Sequence, residues 1–267
     1  MIALHPDTLS IEQIRAWSGE LAGLLDGNEP ATPVPTCGEW TLADLVWHLT
    51  EVQLFWGHII GNRPAGPETY ERPARPTGDL APGLRAAGND LVSLLGAADP
   101  EDRAWSWSGD HSVGFSVRRQ IHEALIHCID GLMATGQPLP EVTPWLAADG
   151  IDELVQVMLT GTPDWAIFDP SGDVIELRAS DTDDRWVMQA GQVIGDEPTS
   201  GAHLELDGYE LCGAGVDGVA TPKSTIEAPA IDLLLWMWGR RPDPTFEASA
   251  DAEAARRLRR TIISATQ

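Results

Sequence analysis

The sequence predicts an α+β fold, with a helical first half followed by a smaller half of mixed helix and strand. Up to about residue 140, apolar residues recur at helical spacing in four separate segments. Beyond Pro140, short β-branched and aromatic runs appear between turn-forming residues. A length of 267 residues fits two domains. The change in composition places them at residues 1–140 and 141–267.

The first helix is predicted over Asp7 to Leu25, with Leu9, Ile11, Ile14, Trp17, Leu21 and Leu25 on one side and Gly27 as a stop. A connector containing Pro30, Pro33 and Pro35 leads to Trp40. Thr41 can cap a second helix, and Asp44 three residues later completes an acidic variant of the capping box. That helix runs to about Ile60 with Leu45, Leu49, Val52, Trp56 and Ile59 on one face, and His48 falls beside Leu45 and Val52, toward the core. A proline-rich surface loop follows, then a third helix over about Leu80 to Ala97. An irregular stretch with Trp105 and Trp107 leads to a fourth helix, about Phe115 to Ala134, with Gly136 as its C′ residue. Four helices so joined predict a bundle, where metal sites are built from facing side chains.

In the second half a helix is expected over about Pro144 to Leu159. Ala166–Phe168 and Val174–Leu177 then read as strands flanking a hairpin turn at Asp169-Pro170-Ser171-Gly172. Arg185–Met188 and His203–Leu206 supply further strands, and helices over about Ile226–Trp238 and Asp251–Ser264 close the chain.

Seventeen basic residues against 41 acidic ones leave a formal charge of −24, which argues against a nucleic-acid or anionic-membrane surface. Met1 to Ser10 lacks the pattern of a signal peptide, and the longest wholly apolar run, Leu233–Trp238, is too short to span a bilayer. Cys37, Cys128 and Cys212 form no CxxC pair and are odd in number, so neither a disulfide framework nor a thiolate zinc site is expected. A cytoplasmic location is the expectation.

Three residues stand out as candidates for chemistry: His48, Glu123 and His127. Two histidines and a carboxylate can hold a catalytic divalent ion while leaving a position open. A spacing of four sets Glu123 and His127 one helical turn apart, offset by about 40°, so both can reach one ion. The run His122-Glu123-Ala124-Leu125-Ile126-His127 is no zinc-protease helix, because HExxH needs a histidine where Ile126 sits. Its two histidines also point about 140° apart. Periodicity alone favours a plainer reading. Val117, Ile121, Ala124, Leu125, Cys128, Ile129 and Leu132 cover the apolar arc, leaving Gln120, Glu123, His127 and Asp130 as a strip that solvent would cover. His48 alone likewise reads as a core histidine.

Two longer runs bear on that choice. Pro35-Thr36-Cys37-Gly38-Glu39-Trp40-Thr41-Leu42-Ala43-Asp44-Leu45-Val46-Trp47-His48-Leu49, and Val113-Gly114-Phe115-Ser116-Val117-Arg118-Arg119-Gln120-Ile121-His122-Glu123 continuing to His127, resemble the two metal-binding motifs of the mycothiol-dependent maleylpyruvate isomerase family. Ala147–Leu154 and Asp232–Arg240 extend the resemblance into the second half. It implies a DinB-like four-helix bundle, followed by a smaller α+β domain that contributes to the active-site cleft. It implies zinc, or another divalent metal, on His48, Glu123 and His127, and mycothiol as thiol cosubstrate. It also implies that Arg240 reaches the site to hold a carboxylate, which guanidinium geometry suits. Without the resemblance, Arg240 reads as a cation at a helix end, and Arg241 could replace it in either role. The run His127-Cys128-Ile129-Asp130 departs from the family's usual basic residue after the histidine, which bears on substrate identity. Asp130 keeps its place and could support His127.

Other residues have plainer roles. Cys128 falls on the apolar arc as an inert thiol, and Asp181, Asp183 and Asp184 lack calcium-loop spacing and read as a turn. Arg256, Arg257, Arg259 and Arg260, following Asp251 and Glu253, match a terminal helix with dipole-complementary ends. The expected function is therefore a zinc- and mycothiol-dependent isomerase or thiol S-transferase acting on a small electrophile. A non-enzymatic metal- or ligand-binding module and a metal-dependent hydrolase are the alternatives.

Overall fold

The computed structural model describes residues 9–212, 222–241 and 252–265. The architecture is α+β, with a helical N-terminal part and a mixed sheet after it. Leu9–Glu141 forms one compact unit and the chain from Val142 onward forms another.

The first unit holds four long helices. Helix α1, Ile11–Leu24, starts at Ser10, whose hydroxyl and the Gln13 side chain close a capping box. The start expected at Asp7 lies outside the described residues. Helix α2, Leu42–Gly61, begins as its sequence predicts: Thr41 and Asp44 form the capping box, which fixes the first turn two turns ahead of His48. Arg75 pairs with Asp44 as well, and these partners hold the Asp44 carboxyl down at about 2, with the Thr41 hydroxyl the largest cause. Helix α3 spans Ala81–Gly96. Helix α4, Val113–Ala134, starts two residues earlier than its apolar pattern implies, because Ser112 caps it by accepting from the Phe115 N–H at 3.0 Å.

α1 packs on α3 and α4, and α2 packs on the same two helices. Gly131 permits the close approach of α4 to α1, since a Cβ there would stand 2.5 Å from Leu21 Cδ1 and 2.8 Å from Leu24 Cδ1. The core of this unit includes Ile14, Leu21, Leu45, Leu49, Leu84, Leu91, Ile121, Leu125 and Ile129. Among the described residues no helix is long and apolar enough to cross a membrane.

The second unit opens with α5, Pro144–Glu153, capped by Thr143, and its last turns widen into a π-helical segment at Leu154–Leu159. A four-stranded sheet follows in the order β3-β2-β1-β4, with β1 at Ala166–Ala179, β2 at Arg185–Asp196, β3 at His203–Leu211 and β4 at Ser224–Ala228. β1, β2 and β3 are antiparallel neighbours, and β4 lies parallel to β1. Helix α6, Ala230–Met237, and helix α7, Ala252–Ala265, complete the unit.

Three expectations change here. Asp169–Gly172 is no hairpin turn: both flanking runs belong to β1 and pair with β2, with the register shifting between Pro170 and Val174. Proline has no N–H for the ladder, so the strand absorbs it as an irregularity. The actual turn to β2 lies at Ser180–Asp184, where Asp183 has φ +60° and Asp181 Oδ1 accepts from the Ala230 N–H at 2.8 Å. Second, the segment at Ile226 is strand, and the helix begins at Ala230, after Pro229. Third, the α7 arginines sit in the body of that helix. Arg257 reaches Asp207 at 2.8 Å and Arg260 reaches Glu253 at 3.0 Å, so ion pairing accounts for them better than the dipole does. Asp251 lies outside the described residues.

The α1–α4 contact has a direct test. Gly131→Val drives two methyl groups into Leu21 and Leu24, and overpacking of this kind costs about 1–3 kcal/mol. Urea unfolding should show that loss; an unchanged midpoint would contradict the close approach.

Candidate metal centre

The polar strip of α4 is not a solvent face. Gln120 is 1% exposed and Asp130 0%, and Glu123 and His127 are mostly covered. The strip faces the interior of the first unit, toward α2. This overturns the expectation from periodicity, since a helical wheel separates polar from apolar residues and cannot tell water from a polar interior.

His48 sits on α2 with its side chain about one-third exposed (34%), so it borders the core without being sealed in it. Its Nε2 lies 3.4 Å from Glu123 Oε1, and His127 Nε2 lies 3.3 Å from the same oxygen. The candidate ligand atoms of His48, Glu123 and His127 all fall within 4.8 Å of one another. The two imidazole rings meet edge to face with centres 4.9 Å apart, and the Trp40 ring lies 4.8 Å from His48. Two nitrogens and a carboxylate oxygen so gathered are a donor set that fits a divalent ion such as zinc.

The surrounding residues orient this set. Arg119, buried at 4% exposure and one turn before Glu123, donates to Glu123 Oε2 at 3.0 Å. Oε1 is left facing both histidines. His127 Nδ1 lies 3.1 Å from Asp130 Oδ2, and a carboxylate can only accept there, so Nδ1 carries the proton and Nε2 is directed at Glu123. Asp130 also accepts from Thr36 Oγ1 at 2.6 Å and from Cys37 Sγ at 3.4 Å. Thr36 and Cys37 come from a short 3₁₀ turn, Pro35–Cys37, that ends at Gly38 with φ +66°, a conformation that favours glycine. Cys37, His127 and Asp130 form a second cluster of potential ligands that shares His127 with the first. With hydrogen bonds from all three neighbours running into Asp130, the second cluster reads as the support for His127.

The electrostatics follow from burial and pairing. Burial would raise the Glu123 carboxyl, but the charge and hydrogen bond of His127, the His48 hydrogen bond and the Arg119 charge together hold it well below the usual carboxylate range. Burial would lower His127, but Glu123, Asp130 and Cys37 together push it well above the usual imidazole range. Metal-free, the pair is therefore a carboxylate against an imidazolium. Burial makes Cys128 a poor acid and raises its thiol far above the ordinary value. It is fully buried and inert in this respect.

Arg240 belongs to the second unit. It follows Gly239, at φ +76°, and its Nη1 donates to the Trp238 carbonyl at 2.5 Å with the guanidinium 5.7 Å from the Trp238 ring centre. Arg241 pairs with Asp232 at 2.5 Å. The described site thus joins His48, Glu123 and His127 within the first unit, while Arg240 and Arg241 are placed by contacts of their own. Helical periodicity assigns no role to Thr36, Cys37 or Arg119, although all three lie in the two runs that resemble the family's motifs. Arg119 had a signal, standing four residues before Glu123; Thr36 and Cys37 meet Asp130 only through the tertiary fold.

A helical unit carrying a half-buried His/Glu/His cluster that could hold a metal ion, with a mixed sheet after it, defines the class as a two-part α+β protein. Residues 11–130 match the mycothiol maleylpyruvate isomerase N-terminal domain, and residues 146–257 match the C-terminal domain of the same family. The two matches between them take in most of the chain, which belongs to the mycothiol maleylpyruvate isomerase family. No curated protein and no solved structure matches it.

The raised His127 pKa sets a pH dependence for metal uptake. As a raised group, His127 contributes stability to the metal-free protein below the ordinary imidazole pKa, and this is lost as pH rises through the raised value. Glu123 contributes above the ordinary carboxylate pKa and loses its contribution as pH falls through the lowered value. A metal needs the bare Nε2 of His127, so zinc affinity should climb with pH across the imidazole range and above, with proton release on binding. Calorimetry in buffers of different ionisation enthalpy measures both; affinity independent of pH would contradict the ion pair. Asp130→Asn should weaken zinc binding by about 10–100-fold, the usual cost of losing such a partner.

Proposed function

We propose that the chain is a metal- and mycothiol-dependent enzyme, a cis–trans isomerase or thiol S-transferase acting on a small unsaturated electrophile of the maleylpyruvate type. The observation that carries the reading is the convergence of His48 from α2 with Glu123 and His127 from the covered strip of α4, in a chain of this family. In this reading those three residues are the ligands of a divalent ion, with zinc the best fit to two imidazoles and a carboxylate. When bound, such an ion supplies the positive charge that keeps a thiol ionised near neutral pH.

The chain's own groups do the rest. Asp130 holds His127 in the tautomer with Nε2 directed inward, and Arg119 fixes Glu123 through the oxygen that does not face the histidines. Trp40 stands against His48 and limits its ring orientations. Arg240 is proposed to hold a carboxylate of the electrophile through paired N–H donors. The cosubstrate thiolate forms a C–S bond at one carbon of the cis double bond, the remaining single bond rotates, and expulsion of the thiolate restores the double bond in the trans form. The thiol is regenerated, so the isomerisation is balanced without any further reactant. In a transferase the C–S bond persists, and the neighbouring carbon, left with the electron pair of the broken π bond, takes a proton from water. The His48/Glu123/His127 set serves both outcomes, and the residues around the electrophile decide between them.

Activity measured with mycothiol and maleylpyruvate, with and without a chelator, tests the reading. Turnover should require the thiol and vanish on chelation. Turnover without any thiol would instead identify a hydrolase with water as nucleophile. A zinc-loaded protein inactive toward every electrophile tried would identify a binding module.

A further inference from the structure

The strip of α4 that carries Glu123 and His127 continues toward the helix N-terminus through Gln120 and Ser116. Taking 100° per residue, Ser116, Gln120, Glu123 and His127 all fall within about 60° of one another around the axis. Ser116 is 0% exposed and Gln120 1%, yet Ser116 Oγ and Gln120 Oε1 find no hydrogen-bond partner among the described residues. A helical serine ordinarily satisfies itself on the carbonyl four residues back, as Thr50 does on Val46 at 2.7 Å. A buried amide oxygen and a buried hydroxyl left without partners one helical turn apart are costly in a stable core, and their placement on the strip that carries Glu123 and His127 calls for a reason.

Two contacts locate the strip against α2. His48 meets Glu123 at 3.4 Å, and Trp56, two turns further along α2, meets Phe115 with ring centres 6.2 Å apart, two turns earlier along α4. The two helices therefore run in opposite directions, and Ser116 and Gln120 lie between the His/Glu/His set and an aromatic end. That end is formed by Trp56, Phe115 and Trp107, whose ring lies 5.9 Å from Phe115. Gln120 is about 4.5 Å along the axis from Glu123, and Ser116 about 6 Å further.

We propose that Gln120 and Ser116 form the polar wall of a ligand subsite that takes the hydroxyl- or amide-bearing body of the thiol cosubstrate, while its sulfur end lies at the His48/Glu123/His127 set. This rests on the thiol-enzyme reading above. The two groups are neutral, and the amide oxygen accepts, so they suit N–H and O–H donors. Arg119, the cation on the neighbouring position, is committed to Glu123. At the aromatic end Trp56 and Phe115 are buried, and Trp107, 52% exposed, offers a flat apolar surface on which a sugar-like face can pack.

Binding to the zinc-loaded protein is measured by calorimetry with two probes, mycothiol and propanethiol, on the wild type, Gln120→Leu and Ser116→Ala. Mycothiol should bind the variants about three- to tenfold more weakly, the loss of one hydrogen bond, with propanethiol unchanged. The same measurement with maleylpyruvate should show no change; a loss there, with mycothiol unaffected, would overturn the assignment to the thiol. Ligand-free, both variants should melt no lower than the wild type, because each removes an unsatisfied buried polar atom. A lower melting temperature with unaltered mycothiol affinity would make the pair structural and sink the inference. Ser116→Ala deletes a single oxygen and keeps the test open should Gln120→Leu not fold. Equal mycothiol affinity in all three proteins would overturn the subsite alone, whereas no mycothiol binding by the wild type would overturn the enzyme reading and the subsite together.

Discussion

Asp130 is a carboxylate with no exposure to solvent, and the site depends on how that group is satisfied. A buried carboxylate needs donors, and it takes them from Thr36, Cys37 and His127. One consequence is local, because His127 is fixed in the tautomer that presents Nε2 to Glu123. The other is architectural. The 3₁₀ turn before α2 is tied to the last turns of α4, nearly a hundred residues away, so the cap of α2 and the ligand face of α4 are held in one frame.

That frame explains why unequal partners share Glu123. Arg119 takes one carboxylate oxygen from the same helix, one turn away, at 3.0 Å. The other oxygen faces His48 and His127 at 3.4 and 3.3 Å. Removal of such charges from water is unfavourable unless they are paired, and the low Glu123 and high His127 pKa values are the signature of that pairing. Displacing the His127 proton exchanges one positive partner of Glu123 for another. Two imidazoles and a carboxylate oriented in this way suit a divalent cation.

Much of the first unit is legible in the sequence, since caps and periodicity are local properties. Thr41 and Asp44 mark the start of α2, and Gly136, at φ +67°, marks the end of α4. Periodicity assigns the polar strip of α4 to solvent because whether a polar face meets water is decided by α2 and the 3₁₀ turn, which the wheel omits. Thr36 and Cys37 stayed hidden for the same reason. In the second unit the run around Pro170 carries every mark of a turn, but pairing with β2 on both sides overrides it and leaves an irregular strand. The segment from Ile226 reads as helix because Ile226, Ile231 and Leu233–Trp238 are apolar, and a short apolar pattern does not distinguish a buried strand from a buried helix.

We propose that His48, Glu123 and His127 form one metal site. Metal analysis of the purified wild type beside His48→Ala and His127→Ala tests it most directly. About one divalent ion per chain is predicted in the wild type, with loss in both variants while helical content is retained. Stoichiometric metal retained in both variants would contradict the site.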